Sequence, residues 1–244
     1  MHALIDTTKA VAATLLDFIF PRQCHGCGRE PEADRFLCWE CLSNLEYIAA
    51  PYCSHCGDPV PGHIDHEYRC AFCTRQSPAF DLARSAVRYR GSLGHALRSV
   101  KYDGATWMIP NLVDLLDACV STHYDLLPFD AVCYVPLYPV RERERGFNQA
   151  GWLATELARR RQLPMGRFTL RRTKDTGSQT HLTAPQRTAN VAGVFAVAKA
   201  RHVAGQRLLL VDDVMTTGAT VNECARVLKR AGAESVHVVT VARG

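Results

Sequence analysis

Two neighbouring carboxylates, Asp212 and Asp213, follow the apolar run Leu208-Leu209-Leu210-Val211 and lead into Val214-Met215-Thr216-Thr217-Gly218-Ala219-Thr220. Each residue type has its own use there. Backbone N–H groups at a helix start, joined by the Thr216, Thr217 and Thr220 hydroxyls, can cradle a phosphate dianion. The carboxylates cannot share that anion, because like charges repel. Their natural partners are hydroxyl donors or a hydrated Mg2+ ion. A phosphate close to a pair of hydroxyls describes a ribose 5-phosphate. A receiver domain also carries acidic residues at a strand end, but it lacks the Thr-Thr-Gly turn. A plain core turn would rarely set two carboxylates after four apolar residues.

Cysteine supplies a second chemistry. Eight of the 11 cysteines form four Cys-x-x-Cys pairs: Cys24/Cys27, Cys38/Cys41, Cys53/Cys56 and Cys70/Cys73. Two cysteines three apart on a tight turn can aim both sulfurs at one metal, and a second pair completes a tetrahedral zinc shell. Gly28 and Gly57 follow two of the pairs, where a positive φ is useful. The simplest assignment is two successive structural Zn2+ sites, and an interleaved arrangement satisfies the same spacing. A disulfide framework needs an oxidising compartment, and nothing in the sequence directs export. Redox and iron–sulfur motifs use different numbers or spacings of cysteine. His25, His55, His63 and His66 are expected beside the sites, not in them, since four thiolates fill each. A site closed by four protein ligands has no position for substrate, so this module is expected to be structural and to fold on metal. Cys119, Cys133 and Cys224 sit singly among apolar neighbours and are expected in the core.

The elements that hold these groups follow from pattern. The chain has 244 residues, 47% hydrophobic and 22% charged, the balance of an ordinary globular protein. After Pro78 the cysteine pairs stop and strand and helix patterns alternate. Strands are expected at Ala83–Tyr89, Asp130–Pro136, Leu208–Val211 and Ser235–Val241. Helices are expected at Leu93–Lys101, Trp107–Val120, Asn148–Arg161 with Asn148 as N-cap, and Thr220–Ala231 ended by Gly232. Such alternation predicts an α/β fold, a parallel sheet flanked by helices. The organisation expected is an N-terminal helix over 1–20, a double zinc ribbon over 21–78 and an α/β domain over 79–244. No apolar run reaches the roughly 20 residues of a membrane span, and no export signal is evident, so the expected location is the cytoplasm. Charge is split between the parts: six Lys/Arg against ten Asp/Glu over residues 1–80, a net −4, and 23 against 14 over 81–244, a net +9. The basic part suits phosphate-bearing ligands.

Residues 208–220 resemble the ribose-phosphate loop of type I phosphoribosyltransferases, enzymes that use 5-phosphoribosyl 1-pyrophosphate (PRPP) and Mg2+. The resemblance implies that Asp212 and Asp213, the candidate catalytic residues, hold the ribose hydroxyls. It implies that Met215 to Thr220, entered through Val214, hold the 5-phosphate. It further implies a pyrophosphate loop after the first core strand of that domain. Pro136, Leu137 and Tyr138 occupy that place here, with Arg141, Arg143 and Arg145 as candidate cations. The order of the four cysteine pairs, Lys101-Tyr102-Asp103-Gly104, Arg145-Gly146-Phe147-Asn148-Gln149, then Gln179 with Arg187 and Asn190, then the loop, resembles the ComF family. Its members are competence-related proteins with a double zinc ribbon, linked to natural transformation and to handling of single-stranded DNA.

Three functions follow from that resemblance. One is transfer of phosphoribosyl from PRPP to an unidentified acceptor. The second is a non-catalytic protein associated with single-stranded DNA, with Arg159-Arg160-Arg161, Arg167, Arg171, Arg172 and Lys174 as the basic surface. The third is a PRPP-responsive regulator whose zinc module contacts competence or DNA-processing proteins. The sequence stops at Gly244, directly after the last expected strand, so no C-terminal hood is expected. The acceptor pocket is expected from residues 81–125, from Arg171–Asn190, which reads as a lid or a surface loop, or from the zinc module.

Overall fold

The computed structural model describes residues 23–31, 37–166, 170–176 and 183–244. The expected helix over 1–20 lies outside the described residues, as do Arg167, Gly177, Ser178 and Gln179. The cysteine segment contributes two short helices, α1 (Trp39–Ser43) and α2 (Ala71–Gln76), each starting directly after a cysteine. Strand β1 (Leu82–Arg88) follows, then helices α3 (Gly91–Tyr102) and α4 (Ile109–Tyr124). Strand β2 (Ala131–Tyr134) leads into α5 (Pro139–Arg145) and α6 (Gln149–Arg161). A small hairpin, β3 (Leu170–Arg172) with β4 (Phe195–Val197), brackets α7 (Ala184–Val191). Strand β5 (Arg207–Met215), helix α8 (Ala219–Arg230) and strand β6 (Ser235–Arg243) close the fold.

The main sheet is fully parallel in the order β1-β6-β5-β2. Parallel strands are covered on both faces, which is why Leu208 to Val211 can be apolar without a break. Leu209 and Val211 pack into a cluster with Leu93 and Leu97 of α3, Leu112 and Leu116 of α4, and Leu153 and Leu157 of α6. Leu208 and Leu210 pack into the opposite cluster with Val221, Cys224 and Leu228 of α8. Cys119, Cys133 and Cys224 are buried, as their apolar neighbours predicted.

All four expected strands and all four expected helices are present, with ends moved by a few residues. Three features are additional. Arg141 to Arg145 lies in helix α5. Part of Arg171–Asn190 is strand β3 and part is helix α7. The β3–β4 pair forms a separate antiparallel hairpin.

The cysteine module straddles the β1 edge of the sheet. Its first half, with Cys24, Leu37, Cys38 and Leu45, merges into the α3/α4/α6 core. Its second half, with Cys53, Cys56, Cys73 and Phe80, merges into the α8 core. Between them, the Arg88 N–H donates to Glu46 O (2.8 Å), the Ile48 N–H to Ala86 O (3.1 Å) and the Ala83 N–H to His55 O (2.9 Å). These bonds occupy a strand edge that would otherwise be open to another chain.

Candidate functional site

The C-terminal ends of β2 and β5 lie side by side, with the Val135 N–H donating to Val211 O at 3.0 Å. Two loops leave this edge, residues 136–138 and the turn from Val214 to Thr220. Open α/β sheets bind ligands at this edge. Side-chain alternation along β5 slips by one residue here: Val214 packs with the cluster of Leu209 and Val211, and Met215 with that of Leu208 and Leu210. The slip falls across Asp212-Asp213, so neither carboxylate belongs to the regular packing of either face.

Asp213 is 4% exposed, and the Lys101 ammonium of α3 lies 2.5 Å from its Oδ2 as an ion pair. Burial works against charge on Asp213, but Lys101 holds its pKa below the ordinary carboxylate value. Burial also works against the Lys101 ammonium, and Asp213 more than offsets it, so the lysine pKa is raised. Asp212 is different. Removal from water, then the adjacent Asp213 charge, push its pKa well above the usual range. Its Oδ1 accepts from the Asp213 N–H at 2.9 Å.

Beyond the acids, Gly218 adopts φ +78° and caps α8, and a Cβ there would meet Met215 Cε at 2.7 Å. Glycine is therefore the residue that lets this turn close tightly before the helix. Thr216 and Thr217 are partly exposed, and the Ala219 N–H donates to Thr217 Oγ1 (3.4 Å). Arg187 of α7 donates from Nη1 to Thr216 Oγ1 at 2.8 Å, so a cation already stands at the turn.

On the β2 side, Pro136 is buried, while Leu137 and Tyr138 are partly exposed. A cleft of about 440 Å³ opens between α3 and α5, lined by Lys101, Tyr102, Gly104, Arg141, Glu144, Arg145 and Phe147. Arg141 and Arg145, four apart, share the helix face that lines it; Arg143 is off that face and exposed. Arg141 Nε also lies 3.3 Å from Asp175 Oδ1. Arg172 of β3 bonds Thr176 Oγ1, and burial followed by the Arg141 charge lowers its pKa. Lys101, Arg187 and Arg172 are thus brought to the site from three other elements. The sequence signals two of them, Lys101 and Arg187, only as positions in the family pattern. The basic run on α6 is neutralised: Arg159 bonds Glu156, Arg160 bonds Asp114 and Glu156, and Arg161 bonds Asp117.

The cysteines gather successively, Cys24/Cys27/Cys38/Cys41 and Cys53/Cys56/Cys70/Cys73, with all sulfurs of a group within 4.8 Å of one another. Four sulfurs about 2.3 Å from a tetrahedral zinc would stand ~3.8 Å apart. The Cys27–Cys38 and Cys56–Cys70 sulfurs are 3.7 and 3.6 Å apart, so the groups fit that ion. Backbone N–H groups of Cys38 and Cys70 point at the Cys24 and Cys53 sulfurs, each at 3.3 Å. Burial opposes the Cys24 thiolate, yet the backbone N–H groups of Cys38, Cys27 and Gly26 bring its pKa to about 6. Contact with Cys73, against burial and assisted by Arg243, brings Cys56 to about 5. Burial pushes Cys41 the other way, and the side-chain contact with Cys56 pushes Cys73 up. Gly28 and Gly57 have φ +76° and +67°. At Gly57 a Cβ would lie 2.8 Å from Ala83 O, so a side chain there is excluded twice over.

Two family models match separate parts of the chain. The double zinc ribbon domain family matches residues 15–75, and the phosphoribosyl transferase domain family matches residues 144–244. The chain is 32% identical over 234 residues to competence protein F of Haemophilus influenzae, covering 94% of this chain and 100% of that protein. It is 31% identical over 221 residues to the DNA utilization protein YhgH of Salmonella typhi, covering 85% of this chain and 96% of that one. Among solved structures, adenine phosphoribosyltransferase from Thermoanaerobacter pseudethanolicus aligns over 68% of this chain and 93% of its own, at 14% identity and a TM-score of 0.38.

Proposed function

The chain belongs to the ComF family of competence proteins, and from that premise we propose that its phosphoribosyl transferase domain binds PRPP with Mg2+ at the C-terminal edge of the sheet. In this reading residues 21–78 are a structural double zinc ribbon and 79–244 the ligand-binding domain. The observation that carries it is the juxtaposition at the end of β5. Asp212 and Asp213 stand beside a glycine-capped helix start whose threonine Thr216 already accepts from the Arg187 guanidinium. Amides and hydroxyls of Met215 to Thr220 would take the 5-phosphate, with Arg187 adding a cation. The two carboxylates would take the sugar hydroxyls. Mg2+ would bind with the ligand, held by a carboxylate and phosphate oxygens, and would supply charge neutralisation there.

For transfer of the phosphoribosyl group, this chain's own residues would act by positioning and by electrostatics, holding the sugar fixed at one end and its leaving group at the other. The cleft lined by Arg141 and Arg145 supports the leaving-group role expected of the α5 arginines. The pairing of Arg159, Arg160 and Arg161 with carboxylates gives the α6 run no surplus charge for nucleic acid, so the ligand-binding reading is favoured over a DNA surface there. A competence role and a cytoplasmic location accord with the family. No helix among the described residues is long and apolar enough to cross a membrane.

Calorimetry with PRPP and Mg2+ tests the reading. Wild type should give a saturable heat, and the double substitution Asp212→Asn/Asp213→Asn should weaken binding by at least ~10-fold, the equivalent of ~1.4 kcal/mol. Equal heats in both proteins, or none in either, would count against it. Pyrophosphate release on adding candidate nucleobases then distinguishes a transferase from a binder.

A further inference from the structure

We infer that Lys101 is a specificity-determining residue of the site, the group by which it selects a ribose phosphate that also carries a diphosphate on its anomeric carbon. The inference rests on the PRPP reading above and adds to it a residue from α3, which lies outside the 144–244 stretch matched to the phosphoribosyl transferase family.

Lys101 stands at the last turn of the 12-residue α3, where the helix end favours a cation. Its side chain is 22% exposed. On one side its ammonium meets Asp213 Oδ2 at 2.5 Å; on the other it forms the wall of the 440 Å³ cleft shared with Arg141 and Arg145. An ammonium has three donors, and one carboxylate does not use them all. Lys101 is therefore common to the acids assigned to the sugar hydroxyls and to the arginines assigned to phosphate.

The cleft around it carries three cations, Lys101, Arg141 and Arg145, against one lining carboxylate, Glu144. Arg145 Nη1 bonds Gln149 Oε1 at 2.6 Å, and its guanidinium lies 5.6 Å from the Tyr102 ring, so two neutral partners hold it in place. Tyr102 itself is 70% exposed, at the cleft wall next to Lys101. A ligand that reaches from the hydroxyl-binding acids into this cleft passes Lys101. Ribose 5-phosphate has nothing to offer there; PRPP offers a diphosphate.

The test compares two ligands and one residue. Calorimetry in Mg2+ measures PRPP and ribose 5-phosphate on wild type, Lys101→Met and Lys101→Arg, with zinc content and circular dichroism confirming the fold. Wild type should prefer PRPP by at least ~10-fold. Lys101→Met should bring that preference to within ~3-fold, mainly through loss of PRPP affinity, and Lys101→Arg should recover part of it. If Lys101→Met weakens both ligands by the same factor, the lysine acts only through Asp213 and the inference is overturned while PRPP binding stands. If wild type binds neither ligand, the PRPP reading itself fails, and this inference with it. A second measurement needs no variant. Amine-reactive labelling of Lys101, mapped by mass spectrometry on wild type, should be slowed at least ~5-fold by inorganic pyrophosphate and unchanged by ribose 5-phosphate. Equal labelling with and without pyrophosphate also overturns the inference.

Discussion

Asp212 and Asp213 are adjacent in sequence and shifted in opposite directions: at Asp212 removal from water and then the neighbouring Asp213 charge dominate, whereas Asp213 is ion-paired directly with Lys101. Asp213 has its pKa lowered by Lys101, so its contribution to stability is fully present above the unfolded carboxylate value and is lost as pH falls through the lowered folded value. Asp213→Asn leaves the Lys101 ammonium without its counter-charge and should cost about 2–4 kcal/mol at pH 7, the scale for breaking a largely buried pair. Denaturant melts of wild type and variant should therefore diverge at neutral pH and begin to converge only as pH falls below about 4, toward the lowered folded value. A difference that stays constant across that range would mean the pair is not what stabilises this edge. The two acids and the turn after them were legible in the sequence because they are contiguous, and a strand-turn-helix signature needs only local backbone. The partners were not. Lys101 meets Asp213 and Arg187 meets Thr216 through tertiary packing from distant segments, and no local period marks which cation will land on which partner. Arg143 shows the converse. Its type matched Arg141 and Arg145, but helical geometry separates it from the face they share.

Helices α5 and α6 show which elements a sequence announces. Asn148 was readable as an N-cap, and it does accept from the Gly151 N–H at 3.2 Å. It also donates from Nδ2 to Val135 O at 3.2 Å, which ties the start of α6 to the end of β2, where the 136–138 loop begins. Asn148→Ala should remove the cap and leave a buried carbonyl without its donor, a loss of about 1–3 kcal/mol. Thermal melts would register it, and a melting temperature within a degree of wild type would show that the cap is dispensable. Helix α5 was missed, although its signals were there: Pro139 at its first turn and Gly146 at φ +81° past its end. Seven residues dominated by alternating Arg and Glu have no apolar stripe, and the apolar period is what identifies a helix from sequence. Helix α7 was hidden in the same way, behind a short polar stretch marked by a proline in its first turn and by Gln186 reaching back to the Thr183 N–H at 2.8 Å. Strands β3 and β4 have three residues each, too few for an alternation to register.

Across the whole molecule, the zinc module acts as a clamp on the sheet edge, and its two halves hold different ends of β1. Leu45, buried with Cys24, Leu37 and Cys38, fixes the segment whose Glu46 carbonyl receives the Arg88 N–H. The second half places the His55 carbonyl on the Ala83 N–H and is tied down further by Arg243 Nε on Asp58 Oδ1 (3.1 Å) and Arg84 Nη2 on Ser54 O (2.9 Å). The acidic module thus docks through arginines of the basic domain, as attraction between parts of opposite net charge would favour. If each half folds on its own metal, the two should come apart separately. Cys53→Ser/Cys56→Ser should lower the zinc content from about two to about one per chain and strip hydrogen-exchange protection from the Ala83 amide while Arg88 keeps most of its own. Cys24→Ser/Cys27→Ser should do the reverse. Ala83 and Arg88 sit five residues apart on one strand, so a single cooperative module would expose both amides in both variants. That outcome would mean the two zinc sites form one folding unit, whereas selective exposure would show that each metal guards its own end of β1.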